Sequence, residues 1–403
     1  MKRVCIIRQN YFPAEAHVRK DVDALTAAGY AVDVVCLREK GERAREPYGE
    51  GTVHRLPLTR RRGGALRYAF EYAAFMAMAS LLVSRLALRR RYRIVEVYNL
   101  PDFFVLAALV PRLLGARVIL YLFEMMPEHI ADQFGLRPGG LPVKALRLLE
   151  RWSIAFASRA IVVGPYDKAV RERRGVPAAK LALVMNVPEE GLFRPAPPPE
   201  PEDGDAFRVI THGSLLKRYG IQTLIKALPH LRDQLPALEV WIVGAGEYRE
   251  ELEALAKELG VETQVRFTGW VPIEEVPALI ARCHVGVVPM LATWMLPNKL
   301  FEYAAMERPV VASAVPSIQA IFPGDSILYF PPDDAEALAR CLAGLYADPA
   351  LRARLAANAR RVLERHSWQK MREVYIRAHD DLLAAPAGGH AVVGSERSGD
   401  TPS

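Results

Sequence analysis

The 403-residue sequence predicts an α/β protein of two doubly wound units whose parallel sheets face a central cleft. Three observations lead there. Short β-branched runs alternate with longer amphipathic stretches from the first residues onward, the pattern of parallel strands covered by helices. The alternation stops at residues 186–206, where Pro188, Pro195, Pro197, Pro198, Pro199 and Pro201 exclude both sheet and helix, and then it starts afresh. Length allows two cores at roughly 100–200 residues per domain.

The first unit, 1–187, reads as strands over 4–8, 31–37, 53–56, 94–98, 118–123 and 160–163, with helices at 15–28, 101–114 and 142–158 among those between them. A linker over 188–206 follows. The second unit, 207–366, places strands at 208–211, 238–243, 265–268, 285–288, 310–312 and 328–330, closing with helices at 335–347 and 349–366. A last amphipathic helix, 367–383, is long enough to return over the first unit, and the Gly- and Ser-rich tail 384–403 reads as disordered.

Composition narrows the function. The chain is 51% apolar and 25% charged, an ordinary globular balance. Cys5, Cys36, Cys283 and Cys341 are widely spaced in apolar surroundings and read as buried thiols of a reducing compartment. The apolar run after Arg3 is too short for a secretory signal, so a cytoplasmic location is expected. Cut after Pro188, the first part carries 31 Lys and Arg against 17 Asp and Glu, the remainder 22 against 29. A basic half beside an acidic half fits an anionic substrate or membrane surface. Nucleic acid is not expected, because no zinc-knuckle spacing, basic zipper or glycine-aromatic strand signature accompanies the charge.

Five segments of the second unit carry the chemistry: THGSLLKRYGIQTLIKAL at 211–228, LEVWIVGAGEYREELEALAKELG at 238–260, VRFTGWVP at 265–272, HVGVVPM at 284–290 and LPNKLFEYAAMERPVVAS at 296–313. In this order they resemble the nucleotide-sugar half of the retaining glycosyltransferases of family 4, whose two-domain fold is called GT-B. The first unit resembles the acceptor half of that family in YFPAEAHVRKDVDALTAAGYAVDVVCL and in VYNLPDFFVLAALVPRLLGARVILYLFEMMPE. The resemblance implies a nucleoside-diphosphate sugar as donor and a sugar, lipid-linked or polysaccharide acceptor; no further cofactor is expected, and the charge of the basic half leaves open a peripheral place at the inner membrane face. Two rivals are a catalytically silent nucleotide-sugar-binding partner and a sugar-nucleotide epimerase of the same fold.

A departing diphosphate gathers negative charge that cations or helix N-terminal amides must meet. Lys217 and Arg218, in a strand-to-helix loop after Gly213 and Ser214, are the expected cations, although the family places its own at positions that are Ser214 and Tyr219 here. Leu296, Pro297, Asn298 and Lys299 open a helix whose free N–H groups can hold the distal phosphate. Glu302 resembles the glutamate that takes the ribose hydroxyls. The family's earlier glutamate falls on Trp294, a departure. Gly244 and Gly246 follow a strand but do not complete a dinucleotide fingerprint. Gly269 and Trp270 resemble the loop that holds the base, with Trp270 either stacking on it or packing on the helix after it.

In the first unit, Phe123-Glu124 stands where many members have His-Asp. Glu124, Glu128 and His129 are therefore the expected groups at the acceptor, and Glu15, His17 and Arg19 lie on a loop expected to face the transferred sugar. Two Asp-x-Asp triplets do not read as metal sites: Asp21 and Asp23 lie within a helix where i and i+2 point apart, and Asp203 and Asp205 lie in the linker. Residues 72–84 are charge-free and flanked by Arg60, Arg61, Arg62, Arg67, Arg85 and Arg89. They read as an interfacial helix with basic edges or as a core helix, being short of the ~20 residues a spanning helix needs.

Overall fold

The computed structural model describes residues 2–60, 65–197 and 206–384. The first sheet is built from Lys2–Tyr11 (β1), Tyr30–Leu37 (β2), Arg45–Tyr48 (β3), Gly51–Leu56 (β4), Ile94–Tyr98 (β5), Arg117–Leu122 (β6), Arg159–Val162 (β7) and Leu181–Leu183 (β8). Their order across the sheet is β3-β4-β2-β1-β5-β6-β7-β8, parallel throughout except for β3 against β4. The second sheet, wholly parallel, uses Phe207–His212 (β9), Leu238–Val243 (β10), Val265–Gly269 (β11), Val285–Val288 (β12), Val310–Ser313 (β13) and Leu328–Phe330 (β14) in the order β11-β10-β9-β12-β13-β14. Each sheet reverses strand order once, between β1 and β5 and between β9 and β12, and a crevice opens beyond the carboxyl ends of the strands at such a reversal.

Helices on both faces explain why every residue of β2 is buried. The one charge there, Asp33, accepts from the Tyr92 hydroxyl at 2.6 Å and the Thr52 N–H at 2.9 Å and pairs with Arg90. Strands β3 and β8 were not expected. The first, Arg-Glu-Pro-Tyr, is an antiparallel edge without apolar alternation, and the second, Leu-Ala-Leu, is apolar but only three residues long. The stretch 101–114 is not one helix but a 3-10 segment, Asp102–Ala108, followed by Leu109–Leu113. Pro111 is the cause, since proline without an N–H fits only the first turn of an α-helix.

Residues 72–84 lie within a longer helix, Ala65–Arg90. Phe75, Ala79, Val83 and Ala87, four apart, are buried against the sheet and the 3-10 segment, while Phe70, Leu81 and Leu88 are exposed. Thus one stripe is core and the other is an uncovered apolar face. By length and composition, 67–90 is long enough to cross a membrane, a revision of the shorter run read from sequence. Arg61 and Arg62, the triplet Asp203 to Asp205, and the tail from residue 385 fall outside the described residues.

The chain crosses between the domains twice, and the crossings touch. At the first, Lys20 Nζ donates to Asn186 Oδ1 at 2.8 Å and to the Val187 carbonyl at 2.6 Å. At the second, the same ammonium lies 4.3 Å from the ring centroid of Trp368, and the Gln369 N–H donates to Glu190 at 3.0 Å. The helix Trp368–Ala384 then docks on the first domain. Tyr375 donates to the buried Glu96 carboxylate at 2.9 Å, His379 Nε2 lies 2.9 Å from the same group, and Asp380 takes Tyr30 and Lys2. Tyr375→Phe is expected to lower stability by about 1–3 kcal/mol, because Glu96 loses a donor it cannot replace with water. A thermal melt matching the wild type would show that this bond does not hold the helix.

Candidate active site

The donor half of the site begins where β9 ends. Gly213 has φ +118, and Gly244 after β10 has φ +139. A side chain on Gly244 would stand 1.9 Å from the Gly213 carbonyl, so backbone meets backbone there and only glycine fits. The Gly244 N–H donates to the Gly269 carbonyl at 2.8 Å, which brings three strand ends into one floor. Ser214 is exposed on it and Gly246 lies against the Leu215 carbonyl.

Facing this floor is the helix Lys299–Ala305, with Asn298 before it and Leu296 and Pro297 leading in. Lys299 is buried, its ammonium 5.3 Å from the Tyr219 ring centroid and 3.7 Å from where a Cβ on Gly213 would lie. Burial pulls its pKa down to about 8, against the opposing pull of Glu302 one turn on. Glu302 is itself buried and bonded to His212. Lys217 is exposed. Arg218 turns the other way and reaches Asp132 of the first domain at 2.9 Å, so the two neighbours are not equivalent: in a 3-10 turn consecutive side chains diverge. The buried cation at the floor is therefore Lys299. Trp270 is 75% exposed, which removes the reading that it packs on the following helix, Val276–Ala281.

Across the cleft stands Glu124, at the end of β6. Asn99 fixes its backbone, donating to the Glu124 carbonyl at 2.7 Å and accepting from its N–H at 3.2 Å, while the same amide donates to Asp102 at 2.9 Å. Burial pushes the Glu124 carboxyl up to about 7, with Arg218 and Arg8 opposing. His129 Nδ1 is 3.9 Å away, and burial followed by the Arg218 charge lowers that imidazole to about 4. Between the walls lies a cavity of about 60 Å³ lined by Phe123, Glu124, Tyr166, Asp167 and Asn186 on one side and by Trp294, Met295, Leu296 and Asn298 on the other. Trp294 Nε1 is buried with no hydrogen-bond partner among the described residues.

Other expected residues are engaged elsewhere. Glu15 does not face the cavity freely, because Arg8 holds both its oxygens, at 2.6 and 2.9 Å. Glu128 is drawn away by Arg174 and by Arg147 at 3.2 Å, part of a network reaching the buried Arg171 and Glu150. His17 packs among Tyr98, Tyr121 and Phe123 and shares a hydrogen with Asn186 at 2.8 Å, and burial holds it well below the usual histidine range. Arg19 is half-buried outside the cavity lining. Asp21 is buried on Tyr98 while Asp23 accepts from Tyr48, so the two carboxylates do point apart. Sequence reasoning passed over His212, Asn99, Asn186 and Asp167. Asn99, one residue past β5, has the clearest signal: a polar group immediately after a buried strand.

Two family descriptions match the chain in succession, a "Glycosyl transferase 4-like domain" over residues 14–186 and "Glycosyl transferases group 1" over 206–348. The chain belongs to the family 4 glycosyltransferases of GT-B fold. Among curated members, the lipopolysaccharide core biosynthesis glycosyltransferase LpsE of Rhizobium meliloti is 34% identical over 182 residues, 45% of this chain and 51% of that protein. A GDP-mannose-dependent alpha-(1-6)-phosphatidylinositol monomannoside mannosyltransferase of Mycolicibacterium smegmatis is 32% identical over 174 residues, 41% and 46% of the two chains. The chain thus spans about half the length of the curated relatives it matches. In fold, this family member resembles sucrose-phosphate synthase of Thermosynechococcus elongatus, with TM-score 0.81 at 21% identity over 96% of this chain and all of that one. Anabaena HepE, solved with UDP and glucose, gives 0.72 at 16% over 94% of this chain and all of HepE.

Proposed function

We propose that this protein transfers a sugar from a nucleoside-diphosphate donor to an acceptor held by the basic domain, in the assembly of a lipid-linked or polysaccharide product. The observation that carries the reading is the buried Lys299 facing the glycine floor at Gly213, one turn from Glu302. A diphosphate at the floor would find a desolvated cation and the amides at the start of the Lys299–Ala305 helix, and the ribose would find a carboxylate. As the bond from the anomeric carbon to the diphosphate oxygen breaks, its electron pair goes to the phosphate, where Lys299 meets the charge. The acceptor oxygen forms the new bond and its proton passes to Glu124.

Retention of anomeric configuration is part of this proposal, as is independence from a divalent metal; among the described residues no group of three His, Cys, Asp or Glu has ligand geometry. A thermal-shift panel of nucleoside diphosphates and their sugars in EDTA, followed by a hydrolysis assay with NMR of the product anomer, tests it. No stabilisation by any donor overturns the reading.

The acceptor side is proposed to work at an anionic membrane surface from the cytoplasmic side. Phe70, Leu81 and Leu88 on the Ala65–Arg90 helix, with Leu141, Leu148 and Trp152 on the helix Leu141–Phe156, leave an exposed apolar surface on the half that carries the excess Lys and Arg. Each Arg or Lys near an acidic surface gains about 1 kcal/mol, lost over a Debye length. Pelleting with acidic vesicles at low salt, weakened by salt and absent with neutral vesicles, is the expected result. No pelleting with either sinks the membrane reading and leaves the donor site untouched.

A further inference from the structure

We propose that His212 is a positioning residue that fixes Glu302 for the ribose of the donor; the inference rests on the ribose reading of Glu302. His212 closes β9, paired in register with Val243 of β10, and is buried. Its Nε2 bonds Glu302 Oε2, and its Nδ1 lies 2.9 Å from the Tyr303 hydroxyl. The Tyr303 ring stands edge-on to the imidazole at a centroid distance of 5.1 Å and is fully buried, and its hydroxyl also reaches the Ile210 carbonyl at 3.3 Å. That ring sits flush on β12 because residue 286 is glycine: a Cβ there would come within 2.3 Å of it. The sheet therefore seats Tyr303, Tyr303 seats His212, and His212 holds one oxygen of Glu302.

The consequence lies in the other oxygen. The side-chain bond that this carboxylate makes to the imidazole is through Oε2. A glutamate free to rotate about its last torsions would have to be ordered when the ribose arrives, and a carboxylate held beforehand loses that cost. With Oε2 tied to the imidazole, the plane of the carboxylate is set and Oε1 is left to accept from a ribose hydroxyl. His212 touches neither donor nor reacting atoms in this arrangement. Its effect should appear as discrimination between ribose and deoxyribose, a quantity that packing of the strand end alone would not change.

Calorimetry with UDP, GDP and their 2′-deoxy counterparts reads this directly, since ribose is common to both bases. The wild type is expected to favour the ribonucleotide that binds by about tenfold over its deoxy form, the worth of one well-made hydrogen bond to a charged group. His212→Ala should bring that ratio close to one, and His212→Gln, whose amide N–H reaches the place of Nε2, should restore most of it. In a Glu302→Ala background, His212→Ala should change nothing further. Should His212→Ala fold poorly, Tyr303→Phe frees Nδ1 while keeping the ring and should cut the ratio about threefold. If Glu302→Ala abolishes discrimination but His212→Ala and Tyr303→Phe preserve it, positioning by His212 is overturned alone. If Glu302→Ala preserves discrimination, the ribose reading of Glu302 fails and takes the inference with it.

Discussion

Replacing Glu124 by Gln should lower turnover by about 10²–10⁴-fold, the usual contribution of a positioned proton acceptor. The amide keeps the shape of the side chain and its place beside Asn99, so folding and donor binding should survive while the acceptor proton loses its destination. The pH dependence supplies a second reading of the same group. Burial pushes the Glu124 carboxyl up to about 7, so it is a neutral acid below that value and a carboxylate above. A base must be ionised, and kcat should therefore rise as pH increases through about 7 and then level. Glu124→Asp, which shortens the reach while keeping the acid, should retain the pH profile at reduced rate. A Gln variant with wild-type kcat, or a profile that falls through that region, would assign the proton transfer elsewhere.

Loss of Lys299 should cost about 10²-fold or more in kcat, because a cation stripped of water acts on a developing phosphate charge with little screening. Lys217→Ala, by contrast, should change kcat less than threefold, since its ammonium is exposed and any phosphate contact it makes is shared with solvent. The comparison is sharper than either variant alone, for both lysines border the same glycine floor. Steady-state kinetics with the donor chosen by thermal shift decides it: equal effects would mean that the loop of Lys217 closes over the diphosphate. Arg218→Ala should fall between, because that guanidinium is spent on Asp132 and lies near Glu124 rather than at the floor.

The two sheets were legible because parallel strands buried on both faces write themselves as apolar runs, and β2, β5 and β12 did so. The floor was legible as well, since glycines at strand ends mark places where backbone must approach backbone. The state of the charged residues was not. Glu128 stands beside His129 in a segment that reads as a site, yet the arginine that claims it lies 46 residues away, just past the end of another helix. His212 and Glu302 are 90 residues apart and meet only because β9 runs next to β12 and the Lys299–Ala305 helix packs beneath it. Lys217 and Arg218 looked interchangeable in sequence, and only the turn of the backbone between them sends one to solvent and the other across the cleft. Pairings of this kind depend on which strand neighbours which, and a one-dimensional pattern carries no information about that.

Lys20 grips both crossings of the chain between the domains, through Asn186 and Val187 at one and over Trp368 at the other. A body joined to its neighbour at a single point can swivel in any direction. One joined at two adjacent points can only fold about the line through them, as a door does on its pin. Any swing of the second domain would then be confined to a single arc, and opening along it would part the Arg218–Asp132 pair across the cleft. Which face of a bound sugar is presented to the acceptor would follow from the placement of that line, far from any atom that reacts.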